Sequence, residues 1–400
     1  MRDVFFPMKN LLVLLGLLTA FAPMSTDMYL PAFVAIAQDL RVSMSSVQVT
    51  LAIYFAGTAL GQIIYGPISD RYGRKPPLYV GLTLYIVASA GCAVAPNIEV
   101  LVATRLLQAI GASAGMVIAR AIVSDLFDYV GGAWAFSRMM LVMGVAPILA
   151  PLVGGQLFVW MGWRAIFWLL AAFGLLCLLL CAHGLHESHP PERRLTTNWG
   201  DHLGGFKELL HEPGFLGHAM VGALAMSAMF VYIAGSPFVF IELYGVPATH
   251  FGFLFGLNAV GLIAGSQLNA RLLKSTNPEL ILQWSLFTLM TSTLILLIVS
   301  CINKDQIVWI LAPLFVAIAS LGLVMPNTTA LALRDQRARA GVASAMLGSL
   351  QFLLFGLAAA AVSALHDGTT RPMTGAMALY GLGAWLVYRW MFRRRKRLDR

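Results

Sequence analysis

The sequence predicts an all-α integral membrane protein of twelve transmembrane helices in two pseudo-symmetric six-helix halves. Three observations predict it. Of 400 residues, 59% are hydrophobic and only 11% charged, against roughly 25% charged in an average globular protein. Mean hydropathy is +0.78. A soluble chain of this length has nowhere to hide so much apolar side chain, which excludes a soluble enzyme. Twelve spans of about 20 residues would use about 240 apolar residues, close to what the composition provides. The second observation is a strong sidedness of basic residues, and the third is one long connection that divides six apolar runs from six.

Apolar runs bounded by charges and turn residues fall near 10–34, 46–66, 77–95, 99–119, 136–158 and 164–182. A second set falls near 214–235, 250–270, 280–301, 306–330, 341–365 and 374–391. The first run has the shape of a secretory signal peptide, with a basic start and small residues at its end. Cleavage there would leave eleven spans and put the basic tail on the wrong side, so an uncleaved first helix is expected. With the N-terminus inside, 22 of the 27 Lys and Arg fall on cytoplasmic segments. Arg41, Arg164, Lys304 and Arg371 fall outside, and Arg105 lies within a span. The positive-inside rule then places both termini in the cytoplasm.

The net charge of +9 reflects the same bias, and no nucleic-acid partner is expected. The tail Arg393–Arg397 is expected to lie against anionic lipid headgroups. Cys92, Cys177, Cys181 and Cys301 have no metal-ligand spacing and read as small hydrophobes. Residues 183–213 form the connection between the N-terminal half, 1–182, and the C-terminal half, 214–400. His183, His186 and His189 within it are followed by prolines and lack a supporting carboxylate spacing. A solvated loop is expected there, and no metal site. A faint repeat links Gly61–Arg71 to Gly261–Arg271, each a Gly with an Arg ten residues on, at an offset of 200 residues. Two related halves around a central cavity make a transporter architecture.

The end of the second run reads Gly61-x4-Gly66-Pro67-Ile68-Ser69-Asp70-Arg71-Tyr72-Gly73-Arg74-Lys75-Pro76. Gly61 permits close helix approach, Gly66 with Pro67 is expected to end the helix, and Gly73 supplies a turn. Asp70, Arg71 and Arg74 can form charge pairs or meet a helix terminus, and Arg120, Asp125 and Asp128 are candidate partners for Arg71 and Arg74. The fourth run carries Arg105-Leu106-Leu107-Gln108 and then Gly111-x3-Gly115. The fifth carries Gly144-x2-Pro147-x3-Pro151-x2-Gly154. With Ser25-Thr26-Asp27-Met28-Tyr29-Leu30-Pro31 and Phe255-Gly256-Leu257-Asn258, these segments make the chain resemble the major facilitator superfamily. Within it they resemble the twelve-span drug:proton antiporters of the bicyclomycin-resistance (Bcr/CflA) subfamily. The antiport motif is looser than the family form, with Ala146 where Gly usually precedes the first Pro. The resemblance covers essentially all 400 residues. It implies that the fifth-span motif belongs to an exporter, and that Asp70 docks on the start of the eleventh span near Gly341.

Asp27 is the carboxylate that lies well inside a span, three residues or about 4.5 Å past the midpoint at Met24. Ionised and unpaired it would cost several kcal/mol, which marks it as a proton or cation site. The bland alternative is a hydrogen bond to a neighbouring helix. Arg105 lies six residues, about 9 Å, in from Glu99. It is read as the coupling partner of Asp27, with snorkelling to the interface as the alternative. The match to GxSxG at Ser113 lacks a strand-turn-helix setting and any acid and base partners, so it is no nucleophile. Gly144, Pro147, Pro151 and Gly154 share one helix face and form a candidate hinge. Met24, Tyr29, Gln108, Met139, Met143, Met229 and Tyr232 are candidate cavity residues, since thioethers and aromatic rings suit varied lipophilic ligands.

The expected function is export of small amphipathic compounds in exchange for protons, by a monomer using alternating access. No cofactor is expected, since the proton gradient drives the cycle and no GxxxxGK[ST] is present. A proton-coupled importer, or a sugar, amino-acid or peptide exporter, of the same fold is the nearest rival. An intramembrane enzyme would need a paired acid, HExxH or Ser/His set inside the spans. A transport-inactive sensor or scaffold would be expected to carry a sizeable soluble domain.

Overall fold

The computed structural model describes residues 8–127, 129–190, 192, 207–302, 307–334, 336 and 340–398. The described residues are helical throughout, with no strand among them. The first span is not one helix. It comprises α1 (Met8–Thr19), α2 (Phe21–Asp27), a 3-10 turn (Leu30–Ala32) and α3 (Phe33–Asp39), and bends by 41° near Ala20. Pro31 lacks the N–H that would serve the carbonyl four residues earlier, at Asp27. The expected single helix is therefore replaced by a broken one, with Asp27 at the break.

Continuous helices follow: α4 (Met44–Tyr72), α5 (Lys75–Ala93), α6 (Ile98–Leu126), α7 (Tyr129–Met161) and α8 (Trp163–Gly184). After the connection come α9 (Pro213–Pro237), which continues as a π-helical turn (Phe238–Leu243), then α10 (Ala248–Leu272) and α11 (Pro278–Ile302). The last are α12 (Ile307–Leu333), α13 (Ala340–Ala364) and α14 (Arg371–Leu398). Nine of these helical segments are long and apolar enough to cross a membrane, and the bent first pair makes a tenth. The long helices α7 and α14 bring the described segments to one for each of the twelve apolar runs. Helix starts follow local chemistry. Ser43 accepts from Ser46 N at 3.3 Å, and Asn97 accepts from Val100 N at 3.0 Å. Pro213 and Pro278 stand at first-turn positions, where a missing N–H costs nothing.

One expectation fails in α4, which does not stop at Gly66–Pro67 but runs through Pro67 to Tyr72. Proline leaves the Ile63 carbonyl without its helical partner, but a single lost bond is tolerated where the rest of the turn holds. Ser69 Oγ, donating to Gly66 O at 2.9 Å, helps hold that turn. The helix ends instead at Gly73, whose φ of 90° only glycine adopts readily.

The chain divides into two compact units, Met1–His202 and Leu203–Arg400. In the first, α4 and α5 both pack on α6, α5 packs on α8, and α1 packs on α7. In the second, α10 and α11 both pack on α12, α11 packs on α14, and α9 packs on α13. Counted in spans, the second set is the first with six added to each member. The faint sequence repeat marks the same joint twice. A Cβ at Gly61 would meet the Ser113 side chain on α6, at 2.8 Å from its Cβ, and one at Gly261 would meet the Phe315 ring on α12 at 2.7 Å. Outward faces carry exposed apolar side chains such as Val80, Val87, Trp160 and Leu379, as a lipid-facing bundle requires.

Candidate functional site

The break in the first span brings Asp27 and Arg105 into one buried polar cluster. Asp27 ends α2 and is buried, and among the described residues its carboxyl has Thr26 Oγ1, 2.9 Å away, as hydrogen-bond partner. Arg105 on α6 is fully buried, so it does not snorkel to an interface. Its guanidinium carbon lies 4.3 Å from the ring centres of both Tyr29 and Tyr54, and 5.8 Å from that of Phe167. One terminal nitrogen donates to the Ser25 carbonyl at 3.0 Å and to Gln108 Oε1 at 2.6 Å. Its Nε and other terminal nitrogen have no hydrogen-bond partner among the described residues.

No ion pair joins Asp27 to Arg105 among the described residues. Arg105 instead holds the backbone two residues before Asp27. The contacts continue outward: Gln108 Nε2 donates to Ser89 Oγ at 2.8 Å, and Ser89 Oγ donates to the Tyr85 carbonyl at 2.7 Å. The Tyr85 hydroxyl shares a 2.8 Å bond with Ser25 Oγ, which closes a ring of contacts back to the first span. Tyr29 shares a 3.2 Å bond with Thr50 Oγ1. A buried cation without a carboxylate partner is costly. Here aromatic faces, each contributing up to about 2 kcal/mol when desolvated, and two charge-assisted bonds offset that cost.

The fifth-span motif meets the same segment. A Cβ at Gly154 would run into the Met28 carbonyl, with its carbon at 2.6 Å. Gly154 therefore lets α7 lie directly on the backbone beside Asp27. Pro147 and Pro151 lie inside continuous α7, Pro151 buried and Pro147 half-buried. Gly144 and Met143 are in α7, but their surroundings lie outside the described residues. The Gly111 and Gly115 pair serves two neighbours. Added Cβ atoms would meet Tyr85 N at 2.6 Å and Leu18 O at 2.8 Å.

The second cluster lies at the α4–α5 turn. Arg74, its side chain 6% exposed, is bidentate on Asp125, with Nε at 2.8 Å and a terminal nitrogen at 3.1 Å. Its other terminal nitrogen donates to Ser69 Oγ at 2.9 Å and to Asp70. Burial works against the Arg74 charge, but Asp125 and Asp70 more than offset it and hold its proton affinity above the ordinary value. Arg71 packs over Tyr72 at 5.5 Å, Arg120 donates to the Met116 carbonyl at 3.1 Å, and Asp128 lies outside the described residues.

The connection contributes two residues that the sequence reading left in a solvated loop. Glu187 accepts from Arg74 N at 2.8 Å, Lys75 N at 3.1 Å and His189 N at 3.0 Å, and so caps the start of α5. Ser188 Oγ donates to Asp125 Oδ2 at 2.8 Å. The signal available was a Glu-Ser pair just past the sixth span, with its inter-helix partners 63 to 113 residues away in sequence. Among the described residues no group of three His, Cys, Asp or Glu is placed to hold a metal.

The remaining cavity candidates divide by burial. Tyr29, Gln108 and Met139 are buried, while Met24 and Met229 are half-buried. Tyr232 on α9 accepts from Asn258 Nδ2 at 3.1 Å and stacks on Phe255, ring centres 5.6 Å apart. The Phe255–Asn258 motif thus grips Tyr232 from α10. Nearby on α9, Phe230 stacks on Phe355 of α13 at 3.9 Å.

The family profile described as Major Facilitator Superfamily matches residues 15–362. An uncharacterised MFS-type transporter of Bacillus subtilis, YdgK, is 36% identical over 380 residues, covering 92% of this chain and 94% of that protein. A bicyclomycin resistance protein homolog of Haemophilus influenzae is 29% identical over 377 residues, covering 93% and 92%. Multidrug resistance protein D of Escherichia coli is 29% identical over 387 residues, covering 93% of each. Among solved structures, a crystal structure of the peptide transporter POT in complex with alafosfalin superposes with a TM-score of 0.75. It covers 96% of this chain and 94% of that one at 14% identity, a likeness of fold alone. With twelve helical segments, a broken first span and a profile that matches most of its length, the chain belongs to the Major Facilitator Superfamily and is a multi-pass membrane transporter, not an enzyme.

Proposed function

We propose that this protein exports small amphipathic compounds, drugs among them, across the bacterial inner membrane in exchange for protons. The observation that carries the reading is Asp27, a buried carboxylate at a helix break whose flanking backbone is held by the buried Arg105. Discontinuous spans supply the polar backbone that transporter sites use at membrane depth. Asp27 takes a proton from outside. Its release inward accompanies substrate binding, when the first span shifts and the fixed charge of Arg105 stabilises the ionised carboxylate. The relatives named for bicyclomycin and multidrug resistance support the cargo class.

Both termini are cytoplasmic in this reading, as the sidedness of the basic residues supports. The α4–α5 cluster of Asp70, Arg74, Asp125, Glu187 and Ser188 then lies on the cytoplasmic side and stabilises one state of the cycle. The Gly144–Gly154 face of α7 acts as the hinge beside the proton site. The half-buried Met24 and Met229 and the aromatic group around Tyr232 serve the substrate. A drug-susceptibility panel in an efflux-deficient bacterial host tests the cargo class. Expression of the wild type raises resistance to several lipophilic drugs, and Asp27→Asn abolishes the rise. A wild type that protects against none of a broad panel would overturn export of drugs.

A further inference from the structure

A groove on the outer face of the second unit, between α11 and α14, is built from a cation and aromatic walls. It encloses about 220 Å³ and is lined by Gln283, Trp284 and Phe287 from α11 and by Trp385 and Arg389 from α14. Spacings of four residues from Gln283 to Phe287, three from Trp284 to Phe287 and four from Trp385 to Arg389 put each of these pairs on one helix face. Trp284 is 64% exposed and Phe287 42% exposed. The groove sits at one end of the unit, since the Tyr388 hydroxyl beside it donates to the carbonyl of Glu279, in the first turn of α11, at 3.0 Å.

We propose that this groove binds the headgroup and upper acyl chain of an anionic phospholipid. Arg389 is exposed and lies over the Trp385 ring at 5.6 Å, and among the described residues it makes no ion pair. Glu279, the nearest carboxylate along α11, pairs with Arg334 at 3.4 Å, so the rim keeps a net positive charge. A guanidinium presents a fork that matches a phosphate bidentately. The Gln283 amide supplies a further donor at the same level. Trp rings favour the headgroup boundary, with the apolar face toward the chains. Arg393–Arg397 begin one helical turn after Arg389 and raise the local concentration of anionic lipid. The groove selects among those lipids by contact; the tail attracts them at a distance.

Trp284 and Trp385 make the test optical. The full chain is reconstituted in phosphatidylcholine vesicles doped with either brominated phosphatidylglycerol or brominated phosphatidylcholine, and tryptophan quenching is compared. The brominated anionic lipid quenches in excess of the zwitterionic one. Arg389→Gln lowers the relative affinity for the anionic lipid about five-fold. Trp284→Phe removes much of the excess signal, and Gln substitution of Arg393–Arg395 leaves most of it. Quenching by brominated phosphatidylcholine, unchanged across the arginine variants, reports that they are folded, and Arg389→Lys retains part of the preference. Equal quenching by the two lipids would overturn the proposal. So would an excess that survives Arg389→Gln, or one that disappears only in the tail variant.

Discussion

Tyr54 separates two ways in which a buried arginine can be stabilised. Its ring centre lies 4.3 Å from the Arg105 guanidinium carbon, yet its own buried hydroxyl makes no hydrogen bond of good geometry among the described residues and has only a weak interaction with Ser25. The ring therefore contributes much more than the hydroxyl. Tyr54→Leu removes the aromatic face, at a cost of about 2 kcal/mol for a desolvated cation–π contact. A further cost of about 1 kcal/mol comes from the poorer fill of the site. Tyr54→Phe keeps the face and removes a poorly satisfied polar group, whose burial costs up to about 1–3 kcal/mol. It is therefore neutral or stabilising. Tyr29→Phe is the contrast: the ring stays at 4.3 Å but the 3.2 Å bond to Thr50 is lost, at a cost of about 1 kcal/mol. Reversible unfolding in mixed micelles gives the three differences directly. Tyr54→Phe destabilising by about 1 kcal/mol or more would refute the reasoning, because the hydroxyl would then have a partner that matters.

Other consequences follow from single contacts. Gly154→Ala places a methyl group against the Met28 carbonyl and should abolish transport in vesicles, whereas Gly66→Ala, which has open space, should retain it. Glu187→Gln should cost about 0.5–1 kcal/mol, since the amide oxygen can still accept from Arg74 N and His189 N but the bond to Lys75 N and the charge at the start of α5 are lost. Glu187→Ala should cost more, and both should lower the melting temperature measured in detergent. Asp125→Asn should impair transport less than Arg74→Gln, because Arg74 keeps Asp70 and Ser69 in the first variant while both aspartates lose their cation in the second. Exchanging the two charges should restore transport only in part, since an aspartate at 74 would face Asp70.

Much of this arrangement was legible in the residues, for reasons that differ by element. Twelve spans were legible because apolar length is a one-dimensional property. Asp27 and Arg105 stood out because charge is so scarce inside the spans. Arg74 and Asp125 were legible as two of several charges that could pair across the α4–α5 turn, and the structure selects that pair. What could not be read were contacts between helices distant in sequence. Tyr54, Ser25, Ser89 and Tyr85 look like ordinary span residues, and only the packing of α2, α4, α5 and α6 makes them the housing of Arg105. Gly154 was read as part of a hinge face, but its role against Met28 depends on where α7 crosses the first span. Glu187 and Ser188 were hidden in a loop that composition describes as solvated. Pro31 stands at a break in the first span that its apolar run did not announce, whereas Pro67 signalled an end that α4 does not have. The two prolines differ in whether neighbouring groups sustain the turn, and single-residue rules do not contain that information.

The central claim is that transport is coupled to proton movement through Asp27. Purified protein in proteoliposomes, with an internal pH dye and a lipophilic fluorescent drug, reports both fluxes in one measurement. The wild type should move drug against its gradient under an imposed pH difference, with a matching proton flux in the opposite direction. Asp27→Asn should lose both uphill transport and the coupled proton flux while still allowing drug to equilibrate downhill. An Asp27→Asn protein that accumulates drug against its gradient with an unchanged proton flux would contradict the account.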